Sequence, residues 1–405
     1  MKTSTIHIPS LLGLLLFTFV GILALMMAVL LGTASLIKIM TDGQIEAREM
    51  TLIAVAIFEA LLLLGAGYVS LLKVLQKPFA DSDSTFTIKL WQIVVCLGTA
   101  GAAIWIGSLI VNNDPVNWLL LPILTLPAVF LPIVVLFGLG SRWISLGQRW
   151  RTWNILGISM TLVPFLTFIM EAMAIVFIFI IVILYISSQP ALMAQVERLS
   201  LQIYTVEKDP EALIGLVAPF VLRPGIISIA LLFFSVLIPL MEELVKPLGV
   251  WLFGNKISTP AQGFALGALC GAAFALLETL GVSVQSDDWS GLLLTRLGTD
   301  ILHVTTAALM GAAIVYAIRE RHYLRLLGTY FLCVALHGLW NGLAIMFTFS
   351  SMASLYAKKS LLSSLSAPFA VALGVFAILL LALLILSNRR MRAKLPKPAL
   401  EEPIP

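Results

Sequence analysis

The chain has 405 residues, 60% of them hydrophobic and 11% charged, with a formal net charge of +4 and a mean hydropathy of +1.04. Soluble domains carry about 25% charged residues, so this composition excludes a water-soluble enzyme. No Lys/Arg block is interleaved with aromatics, so the small basic excess does not indicate a nucleic-acid binder.

The apolar runs approach 20 residues rather than alternating ten-residue strands, which predicts an all-α, polytopic transmembrane helix bundle of about ten spans. Lys2 precedes an apolar run from about Leu11 to Ile37, too long for the core of a signal peptide, so it reads as a retained first span. Spans are then expected at 11–38, 51–76, 91–112, 117–139, 155–187, 226–252, 261–283, 297–318, 327–350 and 366–387. Prolines and glycines interrupt several of them, as membrane helices tolerate. With the N-terminus placed in the cytoplasm, cytoplasmic segments hold twice as many Lys and Arg as outer ones, including Lys73, Arg142, Arg149, Arg151, Lys256 and the tail from Arg389 to Lys397. Both termini are therefore expected inside, with Lys2, Lys208, Lys358, Lys359 and Lys397 also entering the count.

Four regions follow along the chain. Residues 1–190 hold five spans of unassigned role, and 191–225 form an amphipathic extramembrane linker. Residues 226–350 hold four spans with nearly all the polar chemistry, and 351–405 hold the last span and a basic tail. Cys96, Cys270 and Cys333 lie in apolar runs without metal or disulfide spacing and read as buried free thiols.

Span six carries Glu242 and Glu243 side by side, with Lys246 within one turn and Pro239 and Pro247 on either side. Each ionisable group at bilayer depth costs at least ~2.5 kcal/mol on insertion scales, so three in one turn need a purpose. Two adjacent carboxylates in low dielectric cannot easily both ionise, which suits one of them to general acid or base work near neutral pH. The prolines remove backbone donors and make room for water. In span seven Gly263, Gly267, Gly271 and Ala275 recur every four residues, a ladder for close helix contact, and Glu278 lies on the same face. Span eight carries His303 with Asp300 one turn earlier and Arg296 near its start; span nine carries His337 and Asn341, four apart on one face.

Structural readings compete with these. A Glu–Lys pair can simply bind helices together, and that reading is preferred for Lys246. Glu59 and Glu171 stand alone and read as satisfied buried carboxyls, and Asp300 as an orienting partner of His303. Three glutamates, two histidines and an asparagine on four consecutive spans fit a functional cluster better than packing.

These residues, Glu242-Glu243-x-x-Lys246, Gly267-x-x-x-Gly271-x-x-Phe274-Ala275-x-x-Glu278, His303 and His337-x-x-Trp340-Asn341, resemble the PrsW family of intramembrane proteases, itself distantly similar to type II CAAX prenyl endopeptidases. The resemblance runs from about Leu231 to Leu343. Thr279 stands where the family often has asparagine, a departure that leaves Glu278 intact. The resemblance implies hydrolysis of a peptide bond in a membrane-anchored protein, of anti-sigma-factor type in the founding member's pathway, in a bacterial cytoplasmic membrane. Glu242 or Glu243 would act as base, His303 and His337 as water-orienting or oxyanion groups, and Asn341 as donor, with Glu278 also in the catalytic set and Lys246 and Asp300 supporting. The family has been described both as metal-dependent and as using glutamate alone. The expectation is metal-free, with zinc as the alternative and Glu242, Glu278, His303 and His337 as its ligands. Two other classes compete: a proton- or cation-coupled transporter, which would show an inverted repeat that is not found here, and a non-catalytic scaffold on the same fold.

Overall fold

The computed structural model describes residues 7–43, 45–112, 114–206, 209–284, 288–356 and 360–395. Among them ten helices are long and apolar enough to cross a membrane. The chain is an integral multi-pass membrane protein, all-α as its composition predicts, because in lipid each segment must satisfy its own backbone groups. Lys2, Lys208, Lys358, Lys359 and Lys397 of the topology count, with the end of the tail, lie outside the described residues.

In chain order the elements are α1 Ile8–Asp42, α2 Ala47–Val74, α3 Pro78–Asp81, β1 Asp83–Thr85, α4 Leu90–Ile110, α5 Asp114–Ser141, β2 Ser145–Gln148, α6 Arg149–Ser187, α7 Pro190–Val206, α8 Pro210–Val221, α9 Pro224–Leu232, α10 Ile238–Val245, α11 Leu248–Phe253, α12 Pro260–Ser283, α13 Trp289–Glu320, α14 Tyr323–Tyr356 and α15 Ser366–Ala393. The linker expected between spans five and six is helical, as α7 and α8. The eighth span begins at Trp289 rather than 297, since Asp288 caps it by accepting from the Gly291 N–H at 3.0 Å. Hydropathy fades at that polar end while the helix continues.

The chain forms two compact units. The first comprises the residues through Pro164, Lys246–Tyr330 and those from Leu380 onward. Its centre is the antiparallel pair α12 and α13. A Cβ added to Gly263, Gly267 or Gly271 would collide with main chain of Gly311, Ala307 or His303 respectively, so the ladder is an interface. Residues Ala261 through Leu276 are all buried. Around this pair lie α1, α2, α4 and α5, together with the two-stranded ribbon of β1 and β2, which the sequence did not suggest. Asn388 of α15 ties into α5 by donating to the Gly140 carbonyl at 2.9 Å.

The second unit comprises Phe165–Val245 and Phe331–Leu379. Here the sixth span is broken. Between α9 and α10, residues Phe233–Leu237 take a π-helical register, in which the Ile238 N–H bonds Phe233 O. Pro239 explains the register: it cannot donate to the carbonyl one turn back, so the helix widens around the missing bond. Phe233 and Ile238 bury against Ala174 of α6, with Met241 and Ile178 alongside. Trp340 of α14 stacks on Phe376 of α15, ring centroids 6.3 Å apart.

Candidate active site

The paired glutamates follow directly from the break. α10 starts at Ile238, runs two turns, and ends at Val245 before Lys246 and Pro247. Glu242 and Glu243 sit in its second turn, and both are buried. Buried His337 of α14 lies between them. Its Nδ1 is 2.8 Å from Glu243 Oε1 and its Nε2 is 3.9 Å from Glu242 Oε2. A carboxylate accepts, so Nδ1 carries the proton and Nε2 the lone pair directed toward Glu242. A carboxylate behind an imidazole, fixing its tautomer, is the arrangement that raises the basicity of the far nitrogen.

Asn341, one turn beyond His337, donates its amide to the Phe234 carbonyl at 2.9 Å. In the π register that carbonyl would await the N–H of residue 239, which is proline. Asn341 thus satisfies the acceptor that Pro239 orphans. Gly338 completes the fit, because a Cβ there would overlap the carbonyl of Ser235.

The first unit holds a second array. Lys246, fully buried, places Nζ 2.7 Å from His303 Nδ1. The ammonium donates, so His303 Nε2 carries the ring proton, and it lies 2.7 Å from Glu278 Oε2. Arg296 grips the same carboxylate with two nitrogens, at 3.0 Å to Oε1 and 2.8 Å to Oε2. Its Nε donates to Thr279 Oγ1 at 3.1 Å, and that hydroxyl donates to Asp300 Oδ1 at 2.7 Å. Phe274 meets His303 edge-on, centroids 5.1 Å apart, and lies under the Lys246 ammonium at 4.9 Å.

The expected site residues therefore stand in two arrays, one in each unit: Glu242, Glu243, His337 and Asn341 in one, and Lys246, Glu278, Asp300 and His303 in the other. Asp300 Oδ1 accepts from the Thr279 hydroxyl. Sequence reading missed Arg296 as the clamp on Glu278. Its signal was present, since Arg296, Asp300 and His303 fall at i, i+4 and i+7 on one helix face. It also missed Thr279, whose hydroxyl accepts from Arg296 and donates to Asp300.

Carboxylate oxygens and imidazole nitrogens are the donors zinc prefers in catalytic sites; His337 Nε2 has a lone pair to offer, whereas both ring nitrogens of His303 are engaged, by Lys246 and by Glu278. Of the four candidate ligands, Glu242 and His337 lie in the second unit and Glu278 and His303 in the first.

Residues 165–383, just over half the chain, match the model of the PrsW family of intramembrane metalloproteases. The match extends beyond the four motif-bearing spans into α6 and α15. No curated protein and no solved structure matches.

Proposed function

The chain belongs to the PrsW family of intramembrane metalloproteases, and on that premise we propose that it hydrolyses a peptide bond of a membrane-anchored protein, with Glu242 as general base. The supporting observation is the position of His337, bonded to Glu243 on one side and facing Glu242 across 3.9 Å on the other. That arrangement gives each group a distinct task. Glu243 fixes the imidazole tautomer, His337 Nε2 orients the attacking water, and Glu242 takes its proton. The water oxygen adds to the scissile carbonyl. The proton then passes to the leaving amine as the C–N bond breaks. Asn341, held through one amide hydrogen by Phe234 O, is the proposed donor to the oxyanion.

The family motif also includes Glu278 and His303, and we assign them as the remaining catalytic groups. Lys246, Arg296 and Asp300 act as positioning residues. The widened π register in the sixth span and the turn at Lys246–Pro247 that follows support entry of water, since departures from regular helix at membrane depth are tolerated where they border a polar cavity. The protease core is assigned to 226–350, with the preceding spans and linker as accessory regions. The substrate is assigned as a single-span protein of anti-sigma-factor type, and both termini as cytoplasmic.

The family's description includes a metal. Here a divalent cation, zinc by the donor set, would be held by Glu242 and His337 Nε2 with Glu243 behind the imidazole and would supply Lewis-acid polarisation; Glu242 and His337 would then serve as ligands in place of their roles as base and water-orienting group.

The test is cleavage of single-span peptides by the purified full chain, wild type against Glu242→Gln, Glu243→Gln and His337→Ala. The reading expects Glu242→Gln and His337→Ala to lose at least a thousandfold in turnover while remaining folded. Wild-type rates in both would refute it.

A further inference from the structure

The first unit contains a cavity of about 480 Å³ whose lining includes none of the residues of the His303 array and which the protease chemistry does not use. Its volume lies within the ~300–1,000 Å³ typical of small-molecule sites. The ribbon of β1 and β2, the first turn of α6 and the start of α12 enclose it, and Leu395 flanks it. It lies where the candidate span α5 ends and α6 and α12 begin, at the ends of the spans rather than their middles.

Two cations face this space. Arg151 is 95% buried by its 5% exposure, yet its Nε has no hydrogen-bond partner among the described residues. Its other nitrogens donate to the Lys256 and Leu146 carbonyls, which fix the guanidinium in place. Lys256, exposed, lies 4.9 Å over the Trp150 ring. Gly147 lets the Arg151 guanidinium lie against the ribbon. Its φ of +78° suits glycine, and a Cβ there would collide with the Arg151 guanidinium and approach Gln262 Nε2 to 2.5 Å. The Gln262 amide and the hydroxyls of Ser145, Ser258 and Thr259 complete the polar lining. Asp83, on the ribbon, is the one carboxylate among the lining residues, so the cations outnumber it two to one.

A guanidinium fixed by two carbonyls, a second, exposed cation and neutral hydrogen-bonding side chains lining one cavity match a tetrahedral oxyanion. We propose that this cavity binds a phosphate group, supplied either by an anionic lipid headgroup or by free phosphate. Arg151 forms the fixed contact and Lys256 the adjustable one.

The experiment uses the full chain purified in neutral detergent and two probes. Inorganic phosphate is titrated while thermal unfolding is followed. In parallel the protein is placed in phosphatidylcholine nanodiscs with or without phosphatidylglycerol, and retained lipid is counted by native mass spectrometry. Arg151→Gln removes the fixed contact, but it also releases two carbonyls. Lys256→Gln, on an exposed side chain, therefore tests the site without threatening the fold. A saturable phosphate-dependent rise in unfolding temperature, weakened at least tenfold in apparent affinity by Lys256→Gln, supports free phosphate. Selective retention of phosphatidylglycerol, lost in the same variant, supports a headgroup. No binding of either probe, or binding unchanged in both variants, overturns the proposal.

Discussion

Gly271 of α12 lies directly against the main-chain carbonyl of His303 on α13, so close that a Cβ at Gly271 would come within 2.3 Å of that oxygen. The histidine's backbone is thus held by a glycine two turns before Glu278, the residue its ring contacts. Gly271→Ala should force the two helices apart and cost about 1–3 kcal/mol, the usual penalty for overpacking. Gly281→Ala on the same helix meets nothing within 4 Å and should be neutral or slightly stabilising. Thermal unfolding in detergent separates them; equal stability in the two variants would show the contact to be slack.

This relationship shows what the sequence displays and what it hides. A four-residue glycine spacing identifies an interface face, and Glu278 falls on it by arithmetic. The ten spans follow because bilayer thickness sets helix length. The break in span six was only half legible. Two prolines announce a loosened helix, but the π register at Phe233–Leu237 depends on which carbonyl finds a new donor, and that donor, Asn341, is 107 residues away from Phe234. Arg296 was hidden for a different reason. A cation near a span end normally reads as a topology signal, and only the carboxylate it meets gives it another role.

Asn341 and Pro239 should be thermodynamically coupled. Asn341→Leu leaves the Phe234 carbonyl without its donor, a loss of about 1–3 kcal/mol. Pro239→Ala supplies a backbone N–H that can take over. In Pro239→Ala the asparagine becomes dispensable, and a double-mutant cycle should return a coupling of at least about 0.5 kcal/mol. Additive effects would mean the proline and the asparagine act separately.

Arg296→Lys keeps the charge and loses the fork. One ammonium cannot hold both Glu278 oxygens and the Thr279 hydroxyl together, so the variant should lose about 2 kcal/mol of stability from charged hydrogen bonds. As a positioning change it should lower kcat more than it raises KM for a single-span peptide. A KM effect alone would place Arg296 in substrate binding instead.

The start of α1 should be sensitive to acid. His7 packs edge-on against Trp150 at 4.5 Å, with Nδ1 2.9 Å from Ser10 Oγ. Burial chiefly, with Lys256 and Lys73 assisting and Asp81 opposing, lowers its pKa below the ordinary 6.5. A group whose folded value is lowered binds more protons when unfolded. Stability is therefore unaffected above pH 6.5 and declines as pH falls below 6.5 toward the lowered value. Amide exchange in the first turns of α1, corrected for intrinsic rate, should quicken at pH 5 relative to pH 7.5. His7→Phe should remove the difference, and persistence of it there would assign the effect to another group.

The neighbouring carboxylates should fail in different ways. Glu242 faces the lone pair of His337 Nε2, whereas Glu243 only holds the opposite nitrogen. Replacing a carboxylate behind a ligating imidazole typically costs 10–100-fold in activity or metal affinity. Glu243→Gln should fall in that range, because a glutamine oxygen still accepts from Nδ1–H. Glu242→Gln should abolish turnover, because an amide neither takes a proton nor binds a cation well. Treatment with a zinc chelator should silence the wild type, with activity restored by added zinc. Glu243→Gln should need more zinc than wild type for the same recovery, and an identical requirement in both would remove Glu243 from any metal-supporting role while leaving Glu242's part as base to be judged on its own variant.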